Sequence, residues 1–280
     1  MISLAEVLRR STGYLEQHGS PTPRLDAELL LAHGLGLSRI ELYTQYERQL
    51  DDGELATCRE LVRRRGLREP VAYVIGSWGF RGLDLAVDAR VLVPRPETEL
   101  LVDRCLELLE RVERPRVVDV GTGSGAIALS LKSERPDAEV VACDISQDAL
   151  DVAAANAGRL GLDVELHRSD LLAQVPGDGF QLVASNPPYV SEREMADLEP
   201  EVAEHEPRLA TVAGPDGLEV YRRLLPEAAA RLVDGGSLAL ECGSGQAPAL
   251  VAELAAAGYG PAGIDPDLAG IERVVWAPWR

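Results

Sequence analysis

Apolar residues recur at helical spacing through the first 70 positions. Leu4, Val7, Leu8 and Leu15 share a face, and Ser3 with Glu6 has the spacing of a capping box ahead of them. Thr22-Pro23 offers an N-cap and a first-turn proline before Leu25, Leu29 and Leu30, and Gly34 and Gly36 end that run. Ser38 with Glu41 repeats the capping box before Ile40, Tyr43 and Leu50. Asp51 opens a fourth segment through Leu55, Cys58, Leu61 and Val62, closing at Arg63-Arg64-Arg65-Gly66. Four short amphipathic helices predict a small bundle over residues 1–70. The arginine run reads as a solvated helix end favoured by the dipole.

Residues 71–95 differ. Gly76, Gly79 and Gly82 surround Trp78 and Phe80, and Leu83, Leu85 and Val87 then alternate, which predicts a β-hairpin linking two domains. A helix begins at Pro96 and carries Leu100, Leu101, Leu108 and Leu109. From there β and α patterns alternate. Strands are expected over 116–120, 139–143, 163–168, 180–184, 237–241 and 272–276, and helices over 126–134, 147–159, 219–232 and 246–257. The fold class is therefore α/β: a Rossmann-like, mostly parallel sheet over 96–280 with helices on both faces. The acidic connection over 190–215 has the length of a functional loop or lid.

Composition narrows the partners. The net charge of −18 repels phosphate, which argues against a general nucleic-acid binder and towards a neutral or basic partner. Cys58, Cys105, Cys143 and Cys242 are far apart and form no CxxC pair, so they read as core residues; no metal-ligand cluster is expected. His18, His33, His167 and His205 have no partner motif and read as ordinary residues. The N-terminus has no apolar h-region and no long apolar run follows, so a cytoplasmic protein without a membrane span is expected.

Two motifs carry chemistry. "VVDVGTGSGAIALSL" follows a strand and opens a helix, and Gly121, Gly123 and Gly125 let its backbone turn sharply against a ligand. Asp144 ends the next strand, where a carboxylate can accept from both ribose hydroxyls, and Asp170 offers a second carboxylate on the same edge for an adenine amino group. Counting Ala126, the glycines also satisfy the dinucleotide pattern of a dehydrogenase. Asp119, Asp144 and Asp170 together fit S-adenosyl-L-methionine better, because it is cationic and brings no pyrophosphate.

The second motif is "SNPPYV". It leaves the strand over 180–184 at the same sheet edge. Asn186 and Pro187 each precede a proline and are pushed to extended conformations, so the turn is stiff before a substrate arrives. The Asn186 side-chain oxygen and the main-chain carbonyls are acceptors suited to an –NH2 group, and Tyr189 can stack on a planar amide or base. Fixing both N–H groups aims the nitrogen lone pair at a sulfonium methyl, so acceptors rather than a catalytic histidine are required. An amide and a base remain equally open on these residues.

The chain resembles the HemK/PrmC protein N5-glutamine methyltransferases along nearly its whole length. The pieces that carry the resemblance are Glu69-Pro70 with Tyr73, Gly79-Phe80, "VLVPRPETELLV" at 91–102, "DVGTGSGAIALSL" at 119–131, and Asp144 with "DAL" and Asn156-Ala157. They continue with "SDL" at 169–171, "LVASNPPYV" at 182–190, "EPRLA", "GPDGLEVYR", Glu241-Cys242-Gly243 with Gln246, and "GIERVV". Adenine and guanine methyltransferases share the Asn-Pro-Pro-Tyr element; "PRPETE" behind a helical first domain is far more specific.

The resemblance implies that Gly121, Thr122, Gly123, Ser124 and Gly125 contact the methionine part of the cofactor. It implies Asp144 at the ribose, and Asp170 and Leu171 at the adenine. Asn186 lies between cofactor and substrate; with Pro187, Pro188 and Tyr189 it would hold the acceptor amide. The implied acceptor is the glutamine of the Gly-Gly-Gln loop of peptide chain release factors, and the implied product is S-adenosyl-L-homocysteine. The helical domain (1–70) and the hairpin (71–95) would dock that protein on the catalytic domain (96–280). A monomer without direct nucleic-acid contact is expected. Base methylation and a non-catalytic nucleotide binder are the competing readings.

Overall fold

The computed structural model describes residues 2–280, which divide into two compact units. The first comprises the chain up to Ser77 together with Glu199–His205. Its helices are α1 (Leu4–Gln17), α2 (Pro23–Leu35), α3 (Arg39–Thr44), α4 (Asp52–Gly66) and α5 (Val71–Ile75). Of the expected caps, Ser3 accepts from Glu6 N and Ser38/Glu41 closes a complete capping box, but Thr22 makes no side-chain cap bond ahead of Pro23; Asp51/Glu54 closes a further box that the sequence pattern did not single out. Gly36 ends α2 in the left-handed conformation. Leu4, Leu8, Leu15, Leu30, Leu31 and Leu42 are sealed between the helices, each burial contributing roughly 1.5–3 kcal/mol.

Three features of this unit depart from the sequence pattern. Ile2–Ser3 (β1) pairs antiparallel with Gln49–Leu50 (β2), so the region is not purely helical. Residues 71–75 form α5 rather than part of a hairpin. The arginine run is not simply a solvated end. Arg63 is exposed on Glu60 and Arg64 pairs with Glu69, but Arg65 is only 4% exposed, with Asp26 at 2.6 Å and Glu201 at 2.7 Å. Arg68 also bonds Glu201 and Glu199. A stretch of the acidic connection is thus integral to the helical unit. Glu201 answers an arginine, Arg65, buried too deeply for water to do so.

The second unit holds Trp78–Leu198 and Glu206–Arg280. A hairpin of β3 (Ser77–Phe80) and β4 (Leu83–Ala86) precedes α6 (Pro96–Leu108). Then follow β5 (Arg116–Val120), α7 (Ala126–Glu134), β6 (Glu139–Asp144), α8 (Gln147–Leu160), β7 (Glu165–Arg168) and β8 (Phe180–Ser185). The one-turn α9 (Arg208–Thr211), α10 (Glu219–Arg231), β9 (Leu232–Glu241), α11 (Ala247–Ala256), β10 (Gly263–Pro266) and β11 (Glu272–Pro278) complete it. The sheet order is β10-β11-β9-β8-β5-β6-β7; β5 pairs parallel with β6 and β8, and β11 is the one strand of this sheet that runs against its neighbours, antiparallel to both β9 and β10.

Successive strand residues face opposite sides. Val118, Val141, Val183 and Leu238 pack with α10 and α11. Val117, Val140, Leu182 and Ala239 pack with α6 and α7. Each layer is apolar because a parallel sheet is covered on both sides. Asn156 of α8, fully buried, donates to the Ala86 and Ser124 carbonyls and accepts from Ala86 N, tying β4 to the glycine turn after β5. No helix among the described residues is long and apolar enough to cross a membrane.

The strand order reverses between β5 and β8. Val120 and Ser185 lie side by side in register, so the turns that follow them open at one edge. This is the topological switch point, where open α/β sheets bind ligands.

Candidate active site

The glycine turn folds because three residues there adopt backbone conformations that side chains resist. Gly121 and Gly123 have φ of 75° and 55°, and a Cβ on either would project into open space. Both line a cavity at the switch point, with Thr122 and Ser124. Gly125 acts differently from expectation: it caps α7 at φ 87°, and a Cβ there would come within 2.8 Å of Leu129. It shapes the turn by close packing rather than by facing the cavity.

Asp119 anchors the turn from below. It is fully buried; its Oδ2 accepts from the Thr122 hydroxyl at 2.6 Å and from Ala128 N at 3.2 Å, while Oδ1 meets no donor. Burial pushes its carboxyl up to about 7. Asp144, at the end of β6, accepts from Gly123 N and Ser146 N, one on each oxygen, both at 2.9 Å. Burial raises its carboxyl as well. Each oxygen keeps a lone pair for a vicinal diol.

Asp170 and Leu171 reach the cavity after β7. Asp170 is half exposed and paired with Arg223 at 2.7 Å, so one of its oxygens is already engaged. Leu171 stands at φ 50°, a strained conformation for a branched side chain, while its carbonyl accepts from the Cys143 thiol.

Opposite them, Asn186, Pro187 and Pro188 line the cavity. The turn is held at both ends. Ser185 Oγ donates to the Val120 carbonyl at 2.6 Å, and Gln246 Nε2 donates to the Tyr189 carbonyl at 2.8 Å. Gln246 Oε1 in turn accepts from Gly243 N. Gly217, at φ 74°, lies against this junction, and a Cβ there would fall 2.3 Å from the Tyr189 carbonyl. Tyr189 itself lies off the cavity wall. Its ring packs on the apolar core, over Gly243, whose Cβ would sit 3.1 Å from the ring. Burial pushes its phenol up to about 12, so it stays neutral.

Several site residues carried no assigned role in the sequence pattern. Asn186 Nδ2 donates to Thr98 Oγ1 at 3.1 Å, and Thr98 comes from the first turn of α6. Behind both stands Glu241, at the end of β9 and 2% exposed. Arg95, one residue before α6, pairs with buried Glu206, which also accepts from Val93 N. That clasp joins Pro94 and Arg95 to Pro207, and all three line the cavity. The only advance signal was the grouping of polar residues in "PRPETE" and around Glu241.

The residues suit S-adenosyl-L-methionine. Bare glycines give the backbone close approach, and Asp144 has lone pairs for a diol. The histidines lie elsewhere: His18 stacks on Tyr14, and His167 meets Glu165.

Two solved structures of similar shape are methyltransferases. The hMettl16 catalytic domain, bound to an RNA hairpin, superposes with TM-score 0.58 at 15% identity over 85% of each chain. The Thermus thermophilus 16S rRNA methyltransferase RsmC, with AdoMet and guanosine, gives 0.52 at 22% identity over 73% of this chain and 50% of its own. These likenesses show that the second unit has the fold of a methyltransferase.

The sequence takes the assignment further. Residues 6–76 match the PrmC N-terminal domain and residues 97–205 the methyltransferase small domain. Release factor glutamine methyltransferase of Deinococcus radiodurans is 46% identical over 99% of this chain and 98% of its own. Those of Rhodopirellula baltica and Geobacter sulfurreducens are 41% and 40% identical, each over 98% of this chain and 95% of their own. The chain belongs to the release factor glutamine methyltransferase family.

Proposed function

We propose that the protein transfers a methyl group from S-adenosyl-L-methionine to the side-chain amide nitrogen, N5, of the glutamine in the Gly-Gly-Gln loop of a peptide chain release factor. S-adenosyl-L-homocysteine is the second product. The observation that carries this reading is the Asn186–Thr98 hydrogen bond. It commits the Asn186 nitrogen to the protein and leaves its oxygen as an acceptor at the cavity.

The bound cofactor supplies an electrophilic methyl on a sulfonium. Asp144 holds the ribose, Gly121, Thr122, Gly123 and Ser124 cradle the amino-acid end, and Leu171 with Asp170 borders the adenine. Asn186 Oδ1 and the Pro187 carbonyl accept the two N–H groups of the glutamine amide. An amide nitrogen is a poor nucleophile because its lone pair is delocalised. Pinning both hydrogens turns that lone pair towards the methyl carbon, and positioning of this kind contributes roughly 7–11 kcal/mol. The N–C bond forms as the S–C bond breaks, and the nitrogen then releases one proton to solvent. Pro187 and Pro188 hold the acceptors in place beforehand, and Tyr189 supports the turn from the core side.

The test is incubation with methyl-labelled cofactor and a release factor, followed by peptide mapping. Label on the Gly-Gly-Gln glutamine is the expected result. Absence of label there, with cofactor bound, overturns the proposal, and label in added RNA or DNA would favour base methylation instead.

A further inference from the structure

Glu241 is an expensive residue in its position. It closes a strand whose last six residues are all buried, and its Oε2 is sealed from solvent without a donor. An unsatisfied buried acid opposes folding, and an apolar side chain of similar size would pack there at lower cost. Its neighbours suggest what it does. The parallel register sets Ser185 beside Leu240, so the next residues, Asn186 and Glu241, emerge together at the sheet edge. The Glu241 carboxyl faces both the Thr98 hydroxyl and the Asn186 amide. Glu97 of α6, Arg273 of β11, Tyr189, Tyr221 of α10 and Cys242 are the other ionisable groups around it.

A carboxamide has nearly the same shape turned over but the opposite polarity. With its nitrogen outward, Asn186 would meet a substrate –NH2 donor to donor. Thr98 alone does not prevent this, because a hydroxyl can donate or accept. Above about pH 7, where it is ionised, the Glu241 carboxylate can only accept. Placed against Thr98 and Asn186, it takes the hydroxyl hydrogen, so the Thr98 oxygen must accept from Nδ2.

We propose that Glu241 is a positioning residue: acting on Asn186 directly and through Thr98, it keeps Nδ2 turned inward and Oδ1 turned to the cavity. The site is thereby specified for a group with two N–H bonds. This deepens the glutamine reading above and rests on it.

Glu241→Gln preserves shape but puts a donor beside the amide. Its kcat for release-factor methylation should fall about 100-fold, as for a small misplacement of a reacting group. Affinity for S-adenosyl-L-homocysteine, by calorimetry, should not change. Thr98→Val should lose as much, Thr98→Ser should retain activity, and Thr98→Val with Glu241→Gln should be no worse than the poorer single variant. A readout independent of turnover is the side-chain 15N-H2 signal of Asn186, assigned by its loss in Asn186→Asp. Its hydrogens should be protected from solvent exchange in the wild type and exposed in Glu241→Gln. Wild-type kcat in Glu241→Gln, an equal loss of cofactor affinity, losses that multiply, or unchanged protection would each overturn the proposal. If the wild type leaves glutamine unlabelled, the functional reading falls by itself, and the exchange measurement still judges the positioning role.

Discussion

The pH dependence of stability isolates the cost of Glu241. Burial lifts its carboxyl from 4.5 to about 7, against weaker opposing effects of Thr98, Arg273 and Asn186. The folded state therefore holds the proton more tightly than the unfolded chain. Stability from this group is fully present below pH 4.5 and is lost as pH rises to about 7. At about 1.4 kcal/mol per pH unit, the loss across that window is about 3 kcal/mol. Glu241→Gln removes the titration and is expected to be the more stable protein at pH 8, the difference shrinking to about 1 kcal/mol at pH 5. Urea unfolding followed by tryptophan fluorescence suits the measurement, because Trp78, Trp276 and Trp279 all lie in the second unit. Asp119 also titrates near 7, but it is common to both proteins and cancels in the difference. A stability difference that stayed constant from pH 5 to 8 would refute the reasoning.

Four further variants probe other parts of the chain. Asn186→Ala should lower kcat by about 100-fold while leaving cofactor affinity intact, because its partner is the substrate amide; equal losses in both would contradict that role. Asp144→Ala should weaken S-adenosyl-L-homocysteine binding in calorimetry by about tenfold or more, the value of a charge-assisted hydrogen bond, and an unchanged Kd would remove Asp144 from the ribose. Gly217→Ala combines a left-handed backbone with contact on the Tyr189 carbonyl; it should cost about 1–3 kcal/mol in urea unfolding and depress kcat, and wild-type values of both would show that the junction yields. Arg65→Ala takes the cation from buried Asp26, leaving it two hydroxyl partners, and leaves Glu201 to Arg68 alone; circular dichroism should show a loss of about 3 kcal/mol, whereas a change near zero would restore the solvated-end reading.

What could be read in advance was what is local in the chain. The capping box at Ser38 involves residues three apart, and β5, β6 and β8 are short, mainly apolar runs that end at polar or glycine turns. Both motif turns fell at the expected strand ends for the same reason. What escaped depends on partners distant in sequence. A two-residue strand such as Ile2–Ser3 has no period to detect. Helix α5 is too short to show one, and β10 is bounded by glycine and proline, which read as loop. Arg65 looks like any helix-end arginine until Glu201 arrives from over a hundred residues away. Thr98, Asn186 and Glu241 lie on three separate elements, so none announces its role alone. The Tyr189 ring could have turned either way. Gly243, which has no side chain to exclude it, gives it room on the core side.

Two of the buried polar groups that lack a partner are of one kind. Asp119 and Glu241 are both buried acids with an oxygen that meets no donor, and burial pushes both up to about 7. Both lie in the last two residues of a parallel strand, β5 and β9, directly behind a turn that lines the cavity. Asp119 ties the glycine turn through Thr122 and Ala128; Glu241 faces Thr98 and Asn186. A core selected for stability alone would carry apolar residues at both points. Local rules broken at a shared edge mark a functional site, and here the strain falls on the groups behind the two turns that the proposed function assigns to the methyl donor and the acceptor. Rigidity on both sides of a methyl transfer is what a weak nucleophile requires, because it cannot compensate for misalignment by reactivity.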